Sequence, residues 1–299
     1  MKTNQFIISI HFLLAVSCSN SPSEQVKASG KPVNFMILLD LSDRLITTGQ
    51  SERDIEIVKA VFEEFNANVR KNLVINSRDK FQVIIAPQKG VPYNSSDYEN
   101  AMFIDMGSLN SGVKLNKLVE FDKRLNNVLQ ELYSKAYLGS ATSYYPGTGI
   151  WQFFNENLEF LSGKDYDNRL VVLTDGYFDL EDYSRQLPEG KRYPTTSFLS
   201  SVRNKSDWKK IIESNDLGLI PVKKEFSDIK VFVTEINPKY DFQYESDMLV
   251  YIWEKWCREM KINVTEVLVK TSLPQTTNLL KSKLSANYVP DSKLISLAN

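Results

Sequence analysis

Two apolar runs, each ending on an aspartate, limit the folds open to this chain. The first reads Val33-Asn34-Phe35-Met36-Ile37-Leu38-Leu39-Asp40 and continues Leu41-Ser42-Asp43-Arg44. The second reads Arg169-Leu170-Val171-Val172-Leu173-Thr174-Asp175-Gly176. Neither alternates polar and apolar residues, as a strand with one wet face would. Both read as strands covered on two faces, the pattern of a parallel sheet enclosed by helices. In an open α/β sheet, ligands bind beyond the carboxyl ends of the strands. The two carboxylates are therefore expected on one rim, beside the hydroxyls of Ser42 and Thr174. Such a group of oxygens suits a hard cation such as magnesium.

The segments between and after these runs carry helical spacing. Ser51-Glu52-Arg53-Asp54 resembles a capping box, and Ile55, Val58, Phe62, Phe65 and Val69 follow on one helical face. Phe81 to Ala86 reads as a strand stopped by Pro87. Residues 88–114 are loop-like, around a short strand at Met102 to Asp105. A long helix carries Leu115, Leu118, Leu125, Val128, Leu129 and Leu132. After a small-residue loop at Gly139 to Gly149, a helix bears Ile150, Phe153, Phe154, Leu158 and Leu161. Residues 177–226 read as an insertion or lid, with a helix near Trp208 to Glu213. Ile229 to Thr234 is a third apolar strand. Ser246 is placed to cap a helix bearing Leu249, Ile252, Trp253, Trp256 and Met260, with Trp253 and Trp256 in its core face. Val264 to Val269 is a last strand, and a short helix follows near Thr277 to Leu284. Strands alternating with helices predict right-handed crossovers and a sheet that is mostly parallel.

The formal net charge of −1 over 299 residues removes the electrostatic case for nucleic-acid binding. The single histidine, His11, lies in the N-terminal apolar stretch. A chain trimmed after that stretch has no histidine, which excludes Ser-His-Asp and Cys-His catalysis and any zinc site that needs His. Of the two cysteines, Cys257 sits in a helical pattern as a buried apolar residue, and Cys18 closes the N-terminal run.

That N-terminal run has the order of a secretory signal over residues 1–17. Lys2 precedes an apolar stretch from Phe6 to Val16, and Ala15-Val16-Ser17 are small or short before Cys18. The stretch is too short to span a bilayer as a stable helix. It resembles a bacterial lipoprotein signal, which implies a lipid anchor on Cys18. Leu14 lies one position further from Cys18 than the usual leucine of that signal. Residues 18–32 are polar and read as a flexible tether. Two or more acyl chains hold a protein on a membrane stably. Ser19 stands where an aspartate would imply inner-membrane retention, so the resemblance favours the outer membrane of a bacterial cell envelope. Residues 286–299 read as a polar tail.

Strand, Asp-x-Ser, helix, a Thr-bearing loop, helix, strand and Thr-Asp-Gly together resemble the von Willebrand factor A (VWA) family over residues 33–285. The resemblance implies a Rossmann-like α/β fold with a mostly parallel central sheet and helices on both faces. It also implies a metal-ion-dependent adhesion site. Asp40 and Ser42 match the first part of that motif, and Asp175 the last. The middle threonine is Thr148, which directly precedes a helix, or else Thr142 further upstream. Arg44 stands where the family has its second serine. A guanidinium offers no lone pair to a metal. At about 5 Å and an effective dielectric near 20, two like unit charges repel by roughly 3 kcal/mol. Arg44 either points away and pairs with an acidic neighbour such as Asp43 or Asp179, or itself neutralises Asp40 and Asp175.

Three functions are compatible with these residues. The resemblance implies a binding module, whose Mg2+ (or Mn2+ or Ca2+) accepts a carboxylate from an acidic residue of a protein partner. A scaffolding lipoprotein with a degenerate, metal-free site is the second. A magnesium-dependent phosphohydrolase using Asp40 as nucleophile is the third, although such enzymes normally carry an Asp where this chain has Ser42. Asp179, Glu181 and Asp182 read as a solvated acidic loop near the rim. Tyr144, Tyr145, Tyr177 and Tyr183 are expected in the same neighbourhood.

Overall fold

Strand β1 (Val33–Leu39) is buried along its whole length, as the unbroken apolar run requires. It belongs to a computed structural model that describes residues 30–179, 189–262 and 264–285. The chain divides after Gly30, and the architecture below is that of the unit Lys31–Asn299. The expected signal segment, Cys18, most of the tether, Glu181, Asp182, Tyr183 and the tail 286–299 lie outside the described residues. No helix among the described residues is long and apolar enough to cross a membrane.

After β1 come α1 (Gln50–Lys71), β2 (Lys80–Ile85), α2 (Ser95–Ala101), β3 (Phe103–Asp105) and α3 (Lys114–Ala136). Then follow α4 (Ile150–Glu156), α5 (Leu158–Leu161), β4 (Asp167–Leu173), β5 (Arg192–Tyr193), α6 (Trp208–Ser214) and β6 (Gly218–Leu219). The last elements are β7 (Ile229–Ile236), α7 (Glu245–Glu259), β8 (Val264–Val269) and α8 (Leu273–Leu284). Six strands form one sheet in the order β3-β2-β1-β4-β7-β8, and β5 pairs with β6 apart from it. Only β3 runs antiparallel in the large sheet. The fold is α/β with a mostly parallel sheet, as the alternation of elements predicts.

The sheet separates two cores, and strand alternation decides which residue enters which. Phe35, Ile37 and Leu39 of β1 pack with Phe62 and Phe65 of α1, Phe121 and Leu125 of α3, and Leu280 of α8. Met36 and Leu38 point the other way, towards Phe153 and Phe154 of α4, Trp208 of α6 and Trp253 and Trp256 of α7. With both faces covered, neither set can be polar, which is why the alternation vanishes from the sequence. Cys257 is buried in the second core.

Several local expectations are corrected. Ser51 does not cap α1: the cap is Gly49, in a left-handed conformation, and Ser51 lies inside the helix. Asp54, the acidic end of the supposed capping box, is buried and bound to Arg44. Tyr244 rather than Ser246 precedes α7. The loop-like stretch 88–114 holds helix α2, capped by the Asn94 side chain and burying only Tyr98. A helix that buries so little leaves almost no apolar period to read. Leu115 is exposed although it begins an apolar spacing. The helix expected from Ile150 to Leu161 breaks at Asn157 into α4 and α5. In the region expected as an insertion or lid, Phe178, Phe198, Leu199, Val202 and Trp208 are buried in the second core.

Register now places the rim. Leu39 of β1 pairs with Leu173 of β4, and Leu173 pairs with Thr234 of β7. The ladder runs one step further, with Asp40 N donating to Leu173 O at 3.0 Å and Thr174 N to Thr234 O at 3.2 Å. Asp40, Thr174-Asp175 and the end of β7 therefore emerge side by side. From β1 the chain proceeds to β2 on one side, and from β4 to β7 on the other. The carboxyl ends of β1 and β4 flank the topological switch point, where open α/β sheets bind ligands.

Candidate functional site

Asp40 is the centre of the rim and is 1% exposed. Its Oδ1 accepts from the backbone N–H of Ser42 at 3.1 Å and from Thr148 Oγ1 at 2.9 Å. Its Oδ2 accepts from Thr174 Oγ1 at 2.7 Å. Thr174 Oγ1 in turn accepts from Gly176 N at 3.1 Å, which ties the β4 end to the same carboxylate. Three donors offset the desolvation of this aspartate and fix its orientation.

Thr148 reaches Asp40 because its loop returns beside the end of β2. Gly149 N donates to Pro87 O at 2.7 Å, and Thr148 is buried immediately before α4. Thr142 has a different position. It starts a short 3-10 turn, is exposed, and lines the adjoining cleft. The two threonines that the sequence leaves as alternatives are thus separated: Thr148 touches Asp40, and Thr142 faces solvent.

Asp175 lies across from Asp40 and is 3% exposed. Its Oδ1 accepts from Tyr177 N at 3.2 Å. Its Oδ2 is buried and receives no hydrogen bond. Burial, opposed by Lys239 and reinforced by the nearby Asp40 carboxylate, pushes the Asp175 pKa up to about 7. The Oγ of Ser42 is likewise buried and has no partner. Arg44 Nε and Thr234 Oγ1 are also buried without a partner; buried polar atoms are nearly always satisfied, so orphans gathered at one rim call for an explanation. Gly176 supports this turn. Its φ is +102°, and a Cβ there would stand 2.8 Å from Ile236 Cδ1, so backbone conformation and close packing both require glycine.

Arg44 takes neither Asp43 nor Asp179 as its partner and does not reach the two site carboxylates. Its Nη1 donates to Asp54 Oδ2 at 2.6 Å and its Nη2 to Asp54 Oδ1 at 3.1 Å, a bidentate pair. Nη1 also donates to the Asp40 carbonyl at 3.2 Å, so the guanidinium braces the Asp40 backbone from beneath. Asp54 further accepts from Gln50 Nε2 at 2.8 Å and from Tyr133 OH at 3.0 Å. Burial opposes the Arg44 charge, but Asp54 outweighs it and holds the guanidinium pKa above its ordinary value.

Lys239 is a rim residue that the sequence reading does not single out. Its Nζ lies 2.6 Å from Asp43 Oδ1, 3.4 Å from Asp175 Oδ2 and 3.7 Å from Asp179 Oδ2. Burial disfavours this ammonium, yet Asp175, Asp179 and Asp43 together raise its pKa. It lies three residues past β7, on the rim that the first two aspartates define. Carrying the rim argument to this third strand end would have found it. Glu235 also belongs here. It is buried, accepts from Arg53 at 2.7 and 2.9 Å, and holds φ at +72° beside the irregular pairing of β7 and β8. A non-glycine residue in that region costs about 1–3 kcal/mol and persists where its surroundings over-determine it.

A cleft of about 310 Å3 opens beside these groups, lined by Asp43, Arg44, Thr142, Asp175, Glu235 and Lys239 among others. Among the described residues, no group of three or more His, Cys, Asp or Glu side chains converges on one metal position. A cation bound at Asp40 and Asp175 would rest on two carboxylates and on hydroxyls, namely Ser42 and Thr148. That all-oxygen set suits Mg2+, Mn2+ or Ca2+ and not a soft metal. The orphan Ser42 Oγ and Asp175 Oδ2 supply free lone pairs of the right kind, so the residues present fit a hard cation.

No family model and no curated protein matches this chain. Among solved structures, it is similar to proximal thread matrix protein 1 from the mussel byssus, at 10% identity and a TM-score of 0.34. That match covers 84% of this chain and 47% of the other. It is also similar to the pilus adhesin SpaC from Lactobacillus rhamnosus GG in its open conformation, at 10% identity and a TM-score of 0.36. Here 86% of this chain and 30% of the adhesin are covered, so the chain spans less than half the length of either structure.

Proposed function

We propose that this rim is a divalent-cation site of the adhesion type, on a VWA-like domain that binds a protein partner. Asp40, Ser42, Thr148 and Asp175 would hold the ion. When bound, the ion would supply a Lewis-acid position able to take a carboxylate from an exposed acidic residue of the partner. The chain's own residues do the remainder: the Ser42 N–H and Thr174, itself held by Gly176 N, orient Asp40, and Tyr177 N orients Asp175. With Cys18 acylated, the domain would be tethered to the bacterial cell envelope, on the outer membrane. One observation carries the proposal: the buried Ser42 Oγ and Asp175 Oδ2 have no hydrogen-bond partner beside a fully oriented Asp40. The Arg44 guanidinium is turned to Asp54, whose carboxylate offsets its charge.

Calorimetric titration of the full chain with MgCl2 and MnCl2 tests this. The expected result is a single site that Asp175→Asn and Ser42→Ala each weaken. Heat-silent titrations with both ions in the wild-type chain and in Lys239→Met would sink the proposal.

The second reading, a scaffolding lipoprotein that works without metal, is favoured by one observation. Lys239 already places a positive charge against Asp175. Partner capture from native membranes, carried out with and without a chelator, separates the two. Chelator-sensitive capture favours the metal site, and chelator-insensitive capture favours the scaffold.

A further inference from the structure

We propose that Lys239 is a resident counter-cation of this rim, and that its ammonium competes with a divalent ion for the Asp175 carboxylate. This role presupposes the metal site proposed above and adds what sets its affinity.

The geometry is specific. Asp175 Oδ2, the oxygen with no hydrogen-bond donor, has the Lys239 ammonium 3.4 Å away as its ion-pair partner. The same ammonium is held at 2.6 Å by Asp43. The backbone beneath it is fixed. Asn237 N donates to Asp175 O at 3.0 Å, and Lys239 N donates to Tyr177 OH at 3.2 Å. Tyr177 OH is itself anchored by donating to Glu245 at 2.8 Å. A fixed root and an unbranched four-carbon stem let the charge swing out without moving the loop.

Arg44 is a second cation whose field reaches Asp175, but its ion pair is with Asp54. Both of its Nη atoms are committed to Asp54 and to the Asp40 carbonyl. With Lys239 removed, Asp43, Asp175 and Asp179 would lose the cation that now pairs with all three. Two cations sharing one buried carboxylate repel strongly in a low-dielectric setting. A divalent ion therefore binds at the expense of the Lys239 contact, and Lys239 yields its place rather than completing the coordination.

Calorimetric titration with MnCl2 is carried out on the full-length wild type, Lys239→Met and Lys239→Arg. Lys239→Met is expected to bind Mn2+ about tenfold tighter than wild type or more, and Lys239→Arg within about threefold of it. Equal or weaker binding by Lys239→Met overturns the proposal while leaving the metal site standing. Absence of binding in every variant overturns both. A second readout needs no substitution. Amine acylation of the wild-type chain, read by peptide mass spectrometry, should label Lys239 several-fold faster at saturating Mn2+, because the released ammonium leaves its carboxylate cage. Labelling that Mn2+ leaves unchanged overturns the competition.

Discussion

Two buried aspartates near the β1 end illustrate opposite uses of a carboxylate. Asp54 is fully buried and accepts from both Nη atoms of Arg44, from Gln50 and from Tyr133. Every lone pair has a partner, and the group is structural. Asp175 is nearly as buried, yet one of its oxygens has no donor and its nearest cation stands at 3.4 Å. Burying a charge is tolerable when it is paired and costly when it is not. The first site is closed to ligands by its own satisfaction. The second retains unspent acceptor capacity beside an open cleft, which is what a binding site requires.

The sharpest way to break this contrast is Asp54→Ala. It would leave Arg44 buried without a partner, and a loss of about 3–5 kcal/mol in urea unfolding is expected. A loss under about 1 kcal/mol would mean that the Arg44–Asp54 pair is not the structural half of the comparison.

Next in size is the pH dependence that Asp175 imposes. Its pKa rises from 3.8 to about 7 on folding. Across that window the folded protein holds a proton that the unfolded chain has released, so metal-free stability should fall as pH rises, by up to about 4 kcal/mol. Asp175→Asn should flatten the profile. A wild-type profile that rises or stays level between those pH values would contradict the assignment. For the same reason Mn2+ should bind more tightly as pH approaches 7, because it displaces that proton.

Smaller effects separate the two threonines. Thr148→Val removes a buried hydrogen bond to Asp40 and should cost about 1–2 kcal/mol. Thr142→Val, at an exposed turn, should stay within about 0.5 kcal/mol. Equal effects, measured by thermal unfolding, would undo the distinction between them.

The smallest expected change in stability is also the most informative about function. Ser42→Ala deletes an orphan oxygen and should shift stability by less than about 0.5 kcal/mol, while Mn2+ affinity drops. A large loss of stability would show that Ser42 Oγ has a structural partner, and would remove it from the metal set.

Much of the fold was legible because burial writes itself into sequence. Phe35 to Leu39 and Leu170 to Leu173 carry no polar residue, and only a sheet covered on both faces accepts such runs. The site was legible to the extent that it follows directly on those strands. Asp40, Ser42 and Asp175 sit within three residues of a strand end, so finding the strands found them. Thr148 and Thr142 could not be separated, since both occupy one irregular loop and only the return of that loop beside Pro87 brings Thr148 to Asp40. Helix α2 was missed because it buries a single side chain. The capping box at Ser51 misled because Asp54 has the right spacing for a cap, and tertiary pairing with Arg44 claims it instead.

The sequence by itself determined the two-faced sheet, the strand ends and the shared rim for Asp40 and Asp175, because these depend on local hydrophobic pattern and on the rule that parallel strands end together. The tertiary structure decided the electrostatics. Arg44 follows the motif by two residues, yet its charge goes to Asp54 on α1. Lys239 is 64 residues from Asp175 in the chain, yet its ammonium stands beside that carboxylate. Charge pairing acts through space over a few ångströms, and no pattern along the chain encodes which distant side chain will cover that distance.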